Sequence, residues 1–135
     1  MNLQEFGITY HDKNMITVLL VEDSLTETKV LTHYLRQAGL SVVSATNCEE
    51  ARIKLSQQKP DLVIVDVILP GQSGFELCRE LKTHTSTSQI PVVICSTKGT
   101  EVDKLWGAML GADAYLPKPV DQKELTNTVL RLTAV

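Results

Sequence analysis

Apolar segments of four to six residues recur five times along the chain, at 16–21, 40–45, 62–65, 90–95 and 113–117. The stretches 24–38, 47–58, 73–83, 100–111 and 121–132 place apolar residues at helical spacing among polar ones. Strand and helix in regular alternation predict an α/β fold, a doubly wound parallel sheet of five strands with helices on both faces. Crossovers between parallel strands are nearly always right-handed, which limits how the units can wind.

Polar residues mark where the helices begin. Ser24 with Glu27, and Ser73 with Glu76, have the spacing of a capping box, in which each side chain bonds the backbone N–H of the other residue. We therefore expect helices to start directly after Ser24 and Ser73.

The segment 62–65 is continuously apolar and β-branched, and Asp66, Pro70 and Gly71 follow it. Such a run is typical of a central strand buried on both faces, which places Asp66 at its carboxyl end. Open α/β sheets bind ligands at that end. A lone aspartate there more often only turns the chain, so the assignment depends on what the other strands bring.

The other predicted strands also end in groups suited to one site. These groups are Glu22 and Asp23 after the first strand, Ser96 and Thr97 after the fourth, and Lys118 after the fifth. Three crowded carboxylates repel one another unless a cation lies among them, and oxygen ligands suit Mg²⁺. A lysine and a hydroxyl facing that ion would complete a cage for a phosphoryl group. A carboxylate can act as nucleophile and form an acyl phosphate, and Asp66 is the candidate.

Composition narrows the class of protein. The 135 residues fit one domain, for which we take 15–135, with 1–14 as an N-terminal extension that could dock on the domain or remain an inert leader. The net charge of −3 without a basic patch argues against a nucleic-acid surface, and no apolar run approaches the length of a membrane span. Three cysteines without C-x-x-C spacing indicate reduced thiols in the cytoplasm.

Several motifs together resemble the receiver domain of bacterial response regulators, in particular the single-domain chemotaxis type. They are VEDS at 21–24, PDLVIVD at 60–66, LPG at 69–71, CST at 95–97, GADAY at 111–115 and KP at 118–119. The resemblance covers about nine tenths of the chain and implies a flavodoxin-like sheet with strand order 2-1-3-4-5. It also implies a phosphorylation switch of a two-component system that catalyses only its own phosphorylation and dephosphorylation.

The resemblance assigns roles to individual residues. Asp66 would be the phosphoacceptor, and Lys118 and Ser96 would contact the phosphoryl oxygens. Tyr115, with Ser96, would be the switch. The Mg²⁺ ligands would be Asp23, Asp66, the main-chain carbonyl of Ile68 and, through water, Glu22. Members of the family usually hold the peptide bond before the second proline in cis, so Lys118–Pro119 is a candidate for that geometry.

The resemblance also implies partners. A histidine kinase or phosphotransfer protein would supply the phosphoryl group, and output would be contact with a protein target through the fourth helix, fifth strand and fifth helix, including Lys98, Lys104, Tyr115 and Lys123. Segment 96–107 is similar to receivers of pilus-motility and phototaxis systems. The stripe formed by Val102, Leu105, Trp106 and Met109 also has the spacing of simple core packing.

Two departures and three rival functions remain. Ile68 stands where chemotaxis receivers often have a polar residue. We expect this residue, together with Thr97, to affect the lifetime of the phosphorylated state. Pro117 removes a backbone N–H donor from the fifth strand. A phosphohydrolase would commonly carry an acid at position 68, which Ile68 argues against. A constitutive interaction module would not need Asp23, Asp66, Ser96 and Lys118. A phosphate sink for a shared kinase would use the same chemistry and cannot be separated from a messenger by sequence.

Overall fold

A computed structural model describes residues 15–134, and the extension at 1–14 lies outside the described residues. Five parallel strands form one sheet: β1 Thr17–Val21, β2 Ser41–Ala45, β3 Leu62–Val65, β4 Val92–Ser96 and β5 Ala114–Pro117. Four helices connect the strands and a fifth follows β5: α1 Leu25–Gln37, α2 Cys48–Gln57, α3 Gly74–Thr83, α4 Glu101–Met109 and α5 Gln122–Thr133. The strand order β2-β1-β3-β4-β5 is the predicted one.

Two apolar layers enclose the sheet. Side chains of α2 and α3 pack with Leu19, Val63 and Ile94 on one face, and those of α1 and α5 pack with Leu20 and Ile64 on the other. All four residues of β3 are fully buried, because this strand has a neighbouring strand on each side and helices above and below. The alternation along β3 therefore feeds both layers, which explains why its sequence is apolar without interruption.

The fourth helix corrects one expectation. Val102, Leu105, Trp106 and Met109 were candidates for core packing, but they are 76%, 62%, 48% and 68% exposed. The helix instead packs through Gly107, where an added Cβ would lie 3.1 Å from the Tyr115 ring and 3.2 Å from the Ile94 side chain. Helical periodicity identified the apolar stripe correctly but not the direction in which it faces.

Other expectations hold with shifts of one or two residues at element ends. Ser73 and Glu76 form the predicted capping box at the start of α3. Pro117 is tolerated because β5 is an edge strand, and the backbone N–H of Lys118 still donates to the Ser96 carbonyl at 3.0 Å. The Lys118–Pro119 peptide bond is cis, as predicted. Among the helices of residues 15–134, none is long and apolar enough to span a lipid bilayer.

Candidate functional site

Three acidic side chains meet where β1 and β3 end side by side. Val21 pairs with Val65 in the sheet, so the residues that follow them, Glu22 and Asp66, leave adjacent strands at the same level. One carboxylate oxygen from each of Glu22, Asp23 and Asp66 lies within 4.8 Å of the others. Glu22 and Asp66 are buried and Asp23 is exposed, so the group forms a pocket that opens to solvent on one side.

Lys118 reaches this pocket from the end of β5. Its Nζ lies 2.5 Å from Glu22 Oε1 and 3.0 Å from Asp66 Oδ2, and only 6% of its side chain is exposed. Burial lowers the pKa of the ammonium, but the hydrogen bonds to Glu22 and Asp66 outweigh this effect and leave the pKa above its usual value. Lys118 is therefore charged near neutral pH and partly offsets the repulsion among the carboxylates.

Glu22 has two distinct contacts. One carboxylate oxygen accepts from Lys118, and the other accepts from the backbone N–H of Ser24 at 3.0 Å. Burial raises the pKa of Glu22, and these hydrogen bonds offset the rise only in part. The residue is thus held in place by the start of α1 as well as by the lysine.

The predicted capping box at Ser24 and Glu27 is only half formed. The Ser24 hydroxyl accepts from the Glu27 N–H at 3.3 Å, but the Ser24 N–H donates to Glu22 and not to Glu27. The Glu27 carboxylate lies 4.0 Å from Lys118 Nζ instead. Sequence reasoning missed Glu27 as a fourth acidic group of the site, since only the folded chain brings Lys118 beside α1.

Backbone contacts fix the position of Asp66. The N–H of Ile68 donates to Asp66 Oδ1 at 3.2 Å, and the N–H of Gly74 donates to the Val67 carbonyl at 3.0 Å. A Cβ at position 74 would lie 1.9 Å from the Asp66 carbonyl oxygen, so only glycine allows α3 to start this close. The sequence pattern predicted no role for Gly74 beyond its place in the first turn of the helix.

Ser96 and Tyr115 are linked through the backbone of one residue, Lys98, in the β4–α4 loop. The N–H of Lys98 donates to the Ser96 hydroxyl at 3.2 Å, and the Tyr115 hydroxyl donates to the Lys98 carbonyl. Ser96 is fully buried, one residue beyond the level of Asp66 on the neighbouring strand, whereas Tyr115 is half-buried under α4. A movement of Ser96 would therefore act on the loop segment that holds Tyr115.

The remaining expected residues lie on the rim of the pocket. Ile68 lies two residues after Asp66, and its side chain is 54% exposed. Thr97 is exposed at the end of β4, next to buried Ser96. Both side chains are exposed to solvent in the loops that follow β3 and β4.

The donor set fits a hard divalent cation. The three clustered carboxylates offer only oxygen atoms, and exposed Asp23 leaves room for water, which Mg²⁺ retains in most protein sites. A cation here would be held by Glu22, Asp23 and Asp66 and would neutralise negative charge at the Asp66 carboxylate. Lys118 supplies a positive charge 3.0 Å from one oxygen of the same carboxylate.

Comparison with known proteins agrees with this arrangement. The family model described as the response regulator receiver domain matches residues 18–130. The protein PilH of Pseudomonas aeruginosa is 43% identical over 115 residues, which are 85% of this chain and 95% of PilH. The chain spans about half the length of several further curated relatives, which are transcriptional regulators.

Solved structures show the same fold. A chain from Chloroflexus aurantiacus, described as a response regulator, superposes with a TM-score of 0.86 at 34% identity and covers 90% of this chain and all of its own. The chemotaxis protein CheY4 of Vibrio cholerae superposes with a TM-score of 0.81 at 30% identity, over 87% of this chain and 98% of its own.

Proposed function

The chain belongs to the response regulator receiver domain family, whose members are phosphorylation-activated switches of two-component systems, and from this we propose that Asp66 is its phosphoacceptor. The observation that carries the proposal is the Asp66 carboxylate itself. It is buried at the end of the central strand, beside two more carboxylates, with one oxygen 3.0 Å from a buried lysine.

The proposed chemistry is transfer of a phosphoryl group to an Asp66 oxygen. The carboxylate attacks phosphorus, the donor atom leaves, and the products are an acyl phosphate and the dephosphorylated donor. Lys118 would pair with the phosphoryl oxygens and the Ser96 hydroxyl would donate to them, so positioning and charge neutralisation supply the catalysis. A Mg²⁺ ion held by Asp23, Asp66 and the Ile68 carbonyl, and by Glu22 through water, would neutralise further charge. The chain would act on its own phosphorylation and hydrolysis and on no other substrate.

The proposed partners are proteins. A histidine kinase or phosphotransfer protein would donate the phosphoryl group, and three free, buried cysteines fit the reducing cytoplasm in which such transfer takes place. We assign the receiver function to residues 15–135, with 1–14 as a separate extension. Ile68 in place of an acid disfavours a phosphohydrolase.

The proposed output surface comprises α4, β5 and α5, with Lys98, Lys104, Tyr115 and Lys123 on it. Its support is the exposed apolar stripe of α4 described above, because an exposed apolar patch rimmed by polar residues is typical of a protein interaction site. The backbone of Lys98 joins this surface to Ser96 at the pocket. A target that prefers one position of Tyr115 would therefore sense the state of Asp66.

The test is incubation with Mg²⁺ and acetyl phosphate, followed by intact mass measurement. The wild type should gain one phosphoryl group, Asp66→Asn should gain none, and Asp23→Ala should require more Mg²⁺. Asp61→Asn is the matched control, because Asp61 lies at the opposite end of β3 and accepts from the Thr17 N–H. Labelling of Asp66→Asn at the wild-type rate would overturn the assignment.

A further inference from the structure

The loop between β3 and α3, residues 67–73, carries Ile68 and ends at the start of α3. Its position matters to the site because the Ile68 N–H donates to Asp66 Oδ1 at 3.2 Å. A loop without regular secondary structure needs contacts from elsewhere to hold such a bond. The structure provides these contacts from α2.

Arg52 of α2 is bound on two sides. Its Nε and Nη2 donate to the two carboxylate oxygens of Glu80 on α3, at 2.7 and 2.8 Å, in the bidentate geometry that is strong and directional. The same Nη2 donates to the side-chain oxygen of Gln72 in the loop. Arg52 therefore ties the loop to two helices at once.

A second contact lies beneath the first. The Cys48 thiol, in the first turn of α2, donates to the main-chain carbonyl of Gln72 at 3.4 Å. Cys48 is buried, and burial raises the pKa of its thiol, so the thiol keeps its proton near neutral pH. Side chain and backbone of Gln72 are thus both held from α2.

The ion pair itself is poorly suited to stabilising the fold. The Arg52 and Glu80 side chains are 38% and 33% exposed, and solvent-exposed pairs contribute little to the free energy of unfolding. The planar guanidinium is instead suited to fixing geometry, since its donors point in set directions. Its position favours a role in the loop over a role in overall stability.

We propose that Arg52, acting through Gln72, is a positioning residue of the phosphorylation site, because it fixes the loop whose Ile68 amide holds the Asp66 carboxylate. This inference rests on the proposed function for its effect on phosphorylation. Its effect on the loop stands on the contacts alone. Arg52 touches none of the reacting groups and acts only through Gln72 and the loop.

The experiment compares Gln72→Ala, Arg52→Gln and the double variant with wild type. Gln72→Ala removes the loop contact and leaves the Arg52–Glu80 pair in place, so it separates positioning from helix pairing. Gln37→Ala is the matched control, because Gln37 makes a similar side-chain amide contact between α1 and α5, with Gln122 at 3.0 Å. The measurements are hydrogen exchange of the Ile68 amide without Mg²⁺, the Mg²⁺ concentration for half-maximal labelling, and the urea midpoint.

Both single variants should speed Ile68 exchange by about tenfold. They should raise the half-maximal Mg²⁺ concentration by about threefold to tenfold, since small displacements of reacting groups have large effects on rate. The double variant should resemble the singles, because both remove one interaction. Gln37→Ala should match wild type in exchange and Mg²⁺ requirement.

Four outcomes decide between the proposal and its alternatives. Wild-type exchange and labelling in Gln72→Ala would overturn the proposal, as would fully additive effects in the double variant. A shift of the urea midpoint alone would give Arg52 a purely structural role and overturn it as well. If exchange of the Ile68 amide is faster in the variants but neither they nor wild type accept a phosphoryl group, the role of Arg52 in holding the loop is supported. The proposed function is then contradicted.

Discussion

At the scale of single residues, Lys118 is the centre of the acidic site, since carboxylate oxygens of Glu22, Asp66 and Glu27 lie 2.5, 3.0 and 4.0 Å from its Nζ. The spacing of Ser24 and Glu27 predicted a closed capping box, whereas Glu27 is turned toward Lys118. The local rule failed because a residue more than ninety positions away, brought in by β5, offers a charged partner that a backbone N–H cannot match. Glu22, Asp23, Asp66 and Lys118 were predictable since strand ends alone place them.

We expect residue 68 to influence the lifetime of the phosphorylated state. Hydrolysis needs a water in line with the bond to phosphorus, and an aliphatic side chain at the rim cannot hold that water by hydrogen bonds. We expect Ile68→Asn to lose its phosphoryl group about tenfold faster than wild type, a barrier change of about 1.4 kcal/mol. Loss of label at fixed Mg²⁺ after removal of the donor measures this.

Thr97 on the other rim provides the control for that prediction. If its hydroxyl positions the water unaided, Thr97→Val will slow the decay and Ile68→Asn will decay like wild type. Equal decay of Ile68→Asn and wild type would show that residue 68 does not control the approach of water.

At the scale of elements, α4 is the part that periodicity could not orient. Its large apolar residues and its Gly107 lie on different faces, and a helix approaches a sheet most closely through its smallest residue. Gly107 faces inward because the Tyr115 ring lies beneath the helix. No local pattern along α4 reveals that contact. Helices α1, α3 and α5 bury large apolar residues such as Leu31, Leu77 and Leu125, whereas Ile53 of α2 is 52% exposed.

Replacement of Leu105 tests this orientation. Because Leu105 is 62% exposed, Leu105→Ser should change the free energy of unfolding by less than about 0.5 kcal/mol. Leu77 of α3 is fully buried, and Leu77→Ala should cost about 2–5 kcal/mol. Urea unfolding gives both values; a comparable loss for Leu105→Ser would place α4 in the core.

At the scale of the whole molecule, the fold follows from the sequence almost completely. The alternation of strand and helix segments predicted the fold class, and chain-breaking residues between the segments predicted the order of the elements. The resemblance to receiver domains predicted the order of strands in the sheet. Contacts between distant segments were beyond prediction, such as Arg52 on α2 with Gln72, because their partners meet only after the sheet has formed.

One buried thiol of the core, that of Cys95, should make the stability of the protein depend on pH in the alkaline range. Burial raises the pKa of Cys95 to about 12, whereas an unfolded thiol titrates near 9. The folded state therefore holds more protons between these values, so the contribution of Cys95 to stability is intact below pH 9 and is lost as pH rises toward 12. Between pH 8 and pH 10.5, the urea midpoint of Cys95→Ala should fall less than that of wild type. An equal fall in both proteins would contradict this account of the thiol.

We expect a phosphoryl group on Asp66 to change the α4 surface through Ser96, Lys98 and Tyr115. Trp106 lies on that surface, 48% exposed, and provides a built-in probe. Beryllofluoride with Mg²⁺, which mimics the phosphoryl group on the Asp66 oxygen, should change the Trp106 fluorescence of wild type and leave that of Asp66→Asn unchanged. Identical emission of wild type with and without beryllofluoride, at concentrations that protect Asp66 from acetyl phosphate, would contradict the account.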